Sequence, residues 1–157
     1  MKEIPIEVIN FLHKQSFVIV STIDANSYIH CAAKGIVHIE KQGKVYLIDL
    51  YRGSTFKNLK NKPIASITSV DEKHFKGFTL KGKASIVEKK DFDSKHIKVW
   101  EEKVIKRISQ RLIKSVQEEK GISSHPEAHL PPAQYLIELE VEEIVDLTPG
   151  HIKRQSQ

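Results

Sequence analysis

Three β-rich stretches follow one another early in the chain, and the connections between them are very short. The stretches cover residues 16–24, 27–40 and 44–50, and they are separated only by Ala25-Asn26 and Lys41-Gln42-Gly43. Connections of two or three residues are short enough for β-hairpins. The pattern therefore predicts an antiparallel meander, and this feature constrains the fold more than any other.

Three further β-rich stretches, at residues 63–71, 74–88 and 133–147, add strands to this sheet. In the stretch 74–88 apolar side chains share one face: Phe78, Leu80, Ala84 and Ile86. This two-residue period is typical of a half-buried strand. Gly82 interrupts the apolar series, and a glycine inside a strand marks a bend, a bulge or a close approach by another group.

Helical periodicity occurs at residues 5–14, 55–62 and 91–120, whereas residues 121–132 have the composition of a loop. Five or six antiparallel strands with flanking helices indicate a mainly β protein, built as a small closed or partly closed β-barrel. We expect a single domain over residues 1–150, which includes the helix 91–120 and the terminal strand 133–147. Residues 151–157 form a tail.

The bulk composition is that of a soluble globular protein, with 39% hydrophobic and 29% charged residues among 157. The longest apolar run, Phe17 to Val20, is too short to cross a membrane, and the first 15 residues lack the continuous core of a secretory signal. Since Cys31 is the only cysteine, we expect a cytoplasmic protein without an intramolecular disulfide. The formal charge of +5 favours an anionic partner, which could be nucleic acid, a phosphorylated metabolite or a phosphate-bearing cofactor.

No metal site is predicted. A single cysteine excludes a cysteine-rich zinc site, and His30 and Cys31 point to opposite faces of their strand because they are neighbours. His125 and His129 stand four residues apart, but the prolines around them argue against the helix that a zinc-binding pair at this spacing requires.

Four residues able to bind an anion are gathered where the third strand gives way to a helix: Arg52, Ser54, Thr55 and Lys57. Two interpretations are open. Ser54 or Thr55 can cap the helix, because their hydroxyls accept hydrogen bonds from free backbone N–H groups at a helix N-terminus. Alternatively, these N–H groups, the two hydroxyls and the two cations can converge on a bound phosphate.

The order of segments also resembles a known family. A short helix, FVIVSTID, a hairpin strand, GKVYLIDL, STFKNLKNKPIASI and GFTLKGKASIV are similar to the FMN-binding split-barrel proteins related to pyridoxamine 5′-phosphate oxidase. The resemblance covers about residues 5–90 and the terminal strand, and its most specific part is Asn58-Leu59 followed after three residues by Pro63. It implies a split β-barrel homodimer that binds FMN and uses it in a redox reaction on a small-molecule substrate.

The resemblance further implies which residues hold the cofactor. The FMN phosphate would be held by Ser54 and Thr55, with Lys57 or Arg52 as the cation. The isoalloxazine ring would lie at the homodimer interface against positions in the second and third strands: Cys31, Ala33, Lys34, Gly35 and Asp49. Gly35 would let a flat ring approach the backbone, and Lys34 could support negative charge on the reduced flavin. An exposed lysine beside a β-bulge is the alternative interpretation of this pair.

The chain departs from the family pattern in two places. Some members have a basic residue at the position of Ser54 and an Asn-Thr pair near Cys31-Ala32, so the phosphate would be bound differently here. The closing segment DLTPGHIKRQSQ has no counterpart of the Arg- and Trp-bearing segment that pyridoxamine 5′-phosphate oxidase uses for its substrate. We therefore do not expect pyridoxamine phosphate to be the substrate.

Other functions remain open at this point, because no side chain stands out as an obligatory acid or base. The chain could be a non-catalytic flavin-binding protein, or a relative that has changed its cofactor to a deazaflavin or haem. From a different class, it could be a basic β-barrel that binds single-stranded nucleic acid. Only 7% of the residues are aromatic and those on the strands fall mostly at core positions, so we expect no nucleic-acid partner.

Overall fold

The computed structural model describes residues 1–91 and 131–153, together with the separate positions 95, 98, 99, 101, 102, 105 and 106. Within these residues, six strands form one closed barrel: β1 (Val18–Ile23), β2 (Ile29–Glu40), β3 (Lys44–Asp49), β4 (Ile64–Asp71), β5 (Lys76–Glu88) and β6 (Tyr135–Asp146). The order around the barrel is β1-β2-β3-β6-β5-β4, and every neighbouring pair is antiparallel. The predicted mainly β barrel is confirmed. Most of the predicted helix 91–120 and loop 121–132, with His125 and His129, lies outside the described residues.

Short helices flank the barrel: α1 (Ile6–Lys14), α2 (Ser54–Asn61) and α3 (Gly150–Lys153), with a 3-10 turn at Lys89–Asp91. The helices predicted at residues 5–14 and 55–62 are confirmed to within one residue at each end. The predicted boundary between domain and tail falls in α3. In the part of the chain that the structure describes, no helix has the length and apolar character needed to cross a membrane.

The core fills the barrel, and the helices α1 and α2 cover its two ends. Phe11 of α1 packs edge-on against Phe78 near the start of β5, with 5.2 Å between ring centroids. Phe56 of α2 packs in the same way, at 5.0 Å, against Tyr135, which pairs with Glu88 at the end of β5. Large apolar side chains that are fully buried stabilise a fold by about 1.5–3 kcal/mol each, so both helices are held by the core instead of by their own propensity.

Gly82 lies at a bulge between β5 and β6, where the register shifts after Lys81. A Cβ atom at this position would lie 1.9 Å from the carbonyl oxygen of Glu140, so only glycine fits. The interruption that the sequence placed in this strand is therefore both a bulge and a close approach of backbone.

Candidate functional site

The helix α2 begins without a side-chain cap. Gly53 takes the N-cap position, and no side chain accepts a hydrogen bond there. Ser54 is exposed on the surface, whereas Thr55 is only 3% exposed and packs against the end of the barrel. The capping interpretation is therefore wrong for this helix. The backbone N–H groups of its first turn are left for another acceptor, because an α-helix cannot satisfy them internally.

The two predicted cations beside this helix differ in their surroundings. Arg52 forms a bidentate ion pair with Glu88: its Nη1 lies 3.2 Å from Oε1, and its Nη2 contacts Oε2. The Arg52 guanidinium also lies over the ring of Phe56, 4.6 Å from the centroid. Lys57 is exposed, and the structure describes no ion pair for it among the residues it covers. Lys57 can therefore bind an anion without breaking a described ion pair, whereas Arg52 would have to leave Glu88.

Asp49, at the end of β3, is the centre of a buried polar network. The Asp49 side chain is only 2% exposed. Its Oδ1 lies 2.7 Å from Nζ of Lys34, and its Oδ2 accepts a hydrogen bond from the Tyr135 hydroxyl at 2.5 Å. The backbone N–H of Tyr51 also donates to Oδ1, at 3.2 Å. Burial, and then the hydrogen bond to Asp49, raise the pKa of Tyr135 above its usual value. The network therefore ties β2, β3, β6 and the loop that leads to α2 into one unit.

Sequence reasoning missed Tyr135 as a partner of Asp49. Tyr135 is fully buried, and a buried tyrosine usually finds a hydrogen-bond partner for its hydroxyl. The position of Tyr135 on the inward side of an alternating strand therefore indicated that a hydrogen-bond acceptor lies inside the barrel.

Lys34 and the small residues beside it point in opposite directions. The Lys34 ammonium is turned to the buried Asp49, and its side chain is 13% exposed. Cys31 and Ala33 lie on the exposed outer face of β2, because they alternate along the strand with the inward positions. Lys34 stands between Ala33 and Gly35 and takes the inward direction. The structure thus brings Lys34 and Asp49 together, and it separates them from the flat outer strip formed by Cys31, Ala33 and Gly35.

This strip is part of a larger outer surface that carries no charge. On β1, on β4 and on the part of β2 from Ile29 to Ala33, the described outward side chains are apolar or small and polar: Ile19, Ser21, Ile23, Ile29, Cys31, Ala33, Ile64, Ser66, Thr68 and Val70. We call this set the uncharged face. Ile29 is 74% exposed and Val70 60% exposed. A contiguous apolar surface of this kind usually marks a contact site.

Part of the other side of the barrel wall, on β3, β5 and β6, carries ion pairs between neighbouring strands. Lys44 lies 3.0 Å from Glu138, Lys81 lies 3.2 Å from Glu143, and a looser pair at 3.8 Å joins Lys83 and Glu142. We call these six residues the charged face. The part of the wall that carries these pairs is suited to contact with water, whereas the outward Ile48 of β3 and Leu136 of β6 are buried in a separate apolar cluster with Val37 and Ala133.

The strip and the start of α2 are consecutive parts of one structural unit. Gly35 of β2 pairs directly with Ile48 of β3, and the chain then passes through Asp49 and the loop 50–53 into Ser54. The sheet and the Asp49 network fix the position of the strip relative to the start of α2. A ligand that contacted both would therefore be bound by residues in fixed relative positions. Among the described residues, no three His, Cys, Asp or Glu side chains cluster as a metal ion would require.

Comparison with known proteins agrees with this geometry. The family model described as pyridoxamine 5′-phosphate oxidase matches residues 4–147. The chain therefore belongs to the pyridoxamine 5′-phosphate oxidase-like family of split barrels, and the resemblance seen in the sequence is confirmed. No curated protein matches the chain.

Solved structures share the fold at low sequence identity. HupZ from Group A Streptococcus is 18% identical with a TM-score of 0.62, over 94% of this chain and 96% of HupZ. A Clostridium acetobutylicum protein related to general stress protein 26, of the pyridoxinephosphate oxidase family, is 17% identical with a TM-score of 0.56, over 94% of this chain and 95% of that one. The haem storage protein HutZ from Vibrio cholerae is 15% identical with a TM-score of 0.51, over 92% of this chain and 94% of HutZ. At these identities the likeness shows the fold alone.

Proposed function

We propose that this protein binds FMN and acts as a homodimeric flavin-dependent oxidoreductase on a small-molecule substrate. The observation that carries the proposal is the start of α2, an uncapped helix N-terminus with an exposed hydroxyl and an exposed ammonium nearby. Such a helix end attracts anions through its free N–H groups and the helix dipole. Membership of the pyridoxamine 5′-phosphate oxidase-like family supports a phosphate-bearing flavin as the anion.

The residues present fit the phosphate of FMN. Ser54 would donate its hydroxyl, Lys57 would supply the charge, and the first turn of α2 contains no acidic residue to repel the ligand. Thr55 would contribute its backbone N–H and not its hydroxyl, because the side chain is almost fully buried. The phosphate would therefore be held mainly by the backbone, Ser54 and Lys57.

The outer strip of β2 fits the flat ring. Cys31 and Ala33 have short side chains and Gly35 has none, so a planar group can lie close to the backbone. FMN, when bound, supplies the electron-transfer chemistry. The chain would bind the phosphate, orient the ring along the strip and exclude water from one side of it. Lys34 would act from the inner side of the same strand, where Asp49 fixes the position of its ammonium.

A second copy of the chain would cover the uncharged face. The exposed apolar side chains at Ile29, Ile64 and Val70 favour burial against another apolar surface. A homodimer formed there would also close the open side of the ring site.

The first test is the absorbance spectrum of the purified protein, followed by titration with FMN and riboflavin. We expect flavin bands and a preference for FMN, since riboflavin has no phosphate. Lys57→Ala should weaken FMN binding by about ten- to a hundredfold and riboflavin binding much less, because one charge-assisted contact is worth roughly 1.5–3 kcal/mol. Lys62→Ala, at the other end of α2, is the matched control and should leave the ratio unchanged. A colourless protein that binds neither flavin would refute the proposal.

Haem is the second candidate, because the structurally similar HutZ is a haem storage protein. The same spectrum separates the two, since bound haem gives a Soret band and bound FMN does not. The uncharged face also offers little to a nucleic-acid backbone, so we propose that the protein does not bind oligonucleotides. Tight oligonucleotide binding that weakens steeply with salt would contradict this, because such a slope reports phosphate contacts.

A further inference from the structure

We propose that Glu88 is a specificity-determining residue for the phosphate of the bound flavin. In the absence of phosphate, Arg52 forms its ion pair with Glu88. When FMN binds, Arg52 leaves Glu88 and binds the phosphate. This inference rests on the proposed function, and it assigns the role to a residue that lies outside the phosphate contacts described above.

The ion pair has the geometry in which guanidinium groups bind oxyanions. Nη1 of Arg52 donates to Oε1 of Glu88 and Nη2 donates to Oε2, which is the bidentate arrangement that phosphate also accepts. Phe56 supports the guanidinium plane from below at 4.6 Å. The Glu88 carboxylate thus occupies the two donors that a phosphate would use.

The two partners differ in how firmly the fold holds them. Glu88 is the last residue of β5 and pairs with Tyr135 of β6, so its backbone is fixed by the sheet. Arg52 stands in the loop two residues before α2 begins, and its long side chain can turn towards Ser54. The side chains are 42% and 38% exposed, so a dissolved anion can reach the pair. Arg52 is therefore the partner that moves.

Other cations around Glu88 make the exchange possible. Arg52 first, and then the neighbouring Lys60 and Lys90, lower the pKa of the Glu88 carboxyl, so it is charged at neutral pH. When Arg52 leaves, Lys60 and Lys90 remain near the carboxylate. A flavin that carries a phosphate gains a bidentate contact in this exchange, whereas riboflavin gains nothing and leaves the ion pair intact.

The test is a double-mutant cycle on Arg52 and Glu88, with FMN and riboflavin titrated against each variant. Glu88→Gln removes the competing charge, so FMN should bind up to about fivefold more tightly, the range expected for release of an exposed ion pair, with riboflavin unchanged. Arg52→Ala should weaken FMN binding and leave riboflavin binding unchanged. In the Arg52→Ala background, Glu88→Gln should have no further effect on FMN.

The outcomes distinguish the proposal from simpler explanations. Glu143→Gln removes the same charge from an exposed ion pair, with Lys81, between the same two strands β5 and β6, and it should leave the FMN-to-riboflavin ratio unchanged. If Glu88→Gln tightens FMN equally with and without Arg52, the effect is long-range electrostatics and the exchange is wrong. The exchange is equally wrong if Arg52→Ala leaves FMN binding unchanged while the wild type still prefers FMN. Absence of FMN binding by the wild type would overturn the proposed function as well.

Discussion

The two sides of the barrel wall satisfy their outward side chains in different ways. The charged face pairs lysines with glutamates across neighbouring strands, so each polar group has both water and a partner. The uncharged face has neither ion pairs nor charges, and isoleucine and valine side chains lie exposed on it. The same alternating strand pattern produces both faces, because the pattern fixes only which residues point inward. The outward residues therefore report what each side of the barrel contacts.

The largest expected effect comes from a charge placed on the uncharged face. Ser21→Arg puts a guanidinium at the centre of β1, between Cys31 and Ser66 of the neighbouring strands. If a second copy covers this face, as we propose, an unpaired charge at the dry interface costs several kcal/mol. The variant should then sediment as a monomer of about 17.9 kDa and the wild type as a dimer.

Ser85→Arg is the matched control for this substitution, because it makes the same change at an exposed position of β5 opposite Glu138. It should leave the dimer intact. If Ser21→Arg remains dimeric, or if the wild type is a monomer at micromolar concentration, the uncharged face is not the interface between copies.

The buried ion pair between Lys34 and Asp49 extends the comparison, because it is largely shielded from water: the two side chains are 13% and 2% exposed. Asp49→Ala would leave the Lys34 ammonium and the Tyr135 hydroxyl without their acceptor inside the protein. We expect the free energy of unfolding to fall by about 3–5 kcal/mol, because an uncompensated buried charge is costly. Urea denaturation measures the change. A loss below about 1 kcal/mol, as at an exposed pair, would show that the network does not stabilise the fold.

Tyr135→Phe tests the same network with a smaller change and adds a dependence on pH. The variant removes one hydrogen bond to a buried carboxylate, which should cost about 1–3 kcal/mol at neutral pH. Because burial and Asp49 raise the pKa of Tyr135 in the folded state, its usual value near 10.0 applies only to the unfolded chain. The contribution of Tyr135 is therefore fully present below about pH 10 and is lost as the pH rises above it.

Denaturation curves at pH 8 and near pH 10.5 check the sign of this effect. The wild type should lose stability over this interval, and Tyr135→Phe should lose less. Tyr46 also has a raised pKa, because of burial and the nearby Glu138, so part of the slope will remain in the variant. An identical slope in both proteins would mean that Tyr135 ionises without penalty in the folded state.

The fold could be predicted from the sequence because its determinants are local. Short connections such as Ala25-Asn26 define the hairpins, and the alternation from Phe78 to Ile86 defines which side of β5 enters the core. Pro63 follows Lys62, the C-cap residue of α2, and separates the helix from β4, so it marks where the helix ends. Each of these features acts within about ten residues of chain.

The polar contacts of the site could not be predicted, because they depend on the register in which strands far apart in the sequence pair. Tyr135 and Asp49 are 86 residues apart in the chain, and they meet because β6 pairs with β3 in one particular register. The same barrel closure brings Glu88 to Arg52. The cap of α2 could not be decided from the sequence either, because Gly53 takes the N-cap position and Thr55 is buried in the folded protein.

The smallest expected effect lies on the charged face itself. A double-mutant cycle with Lys81→Ala and Glu143→Ala should give a coupling of about 0.2–1 kcal/mol, because both side chains are largely exposed and water screens their attraction. In 1 M salt, where the screening length falls to about 3 Å, the coupling should disappear, whereas the loss in Asp49→Ala should persist. A coupling above about 2 kcal/mol that survives high salt would mean that the charged face is shielded from water. The partner surface would then lie there, and the assignment of the two faces would be reversed.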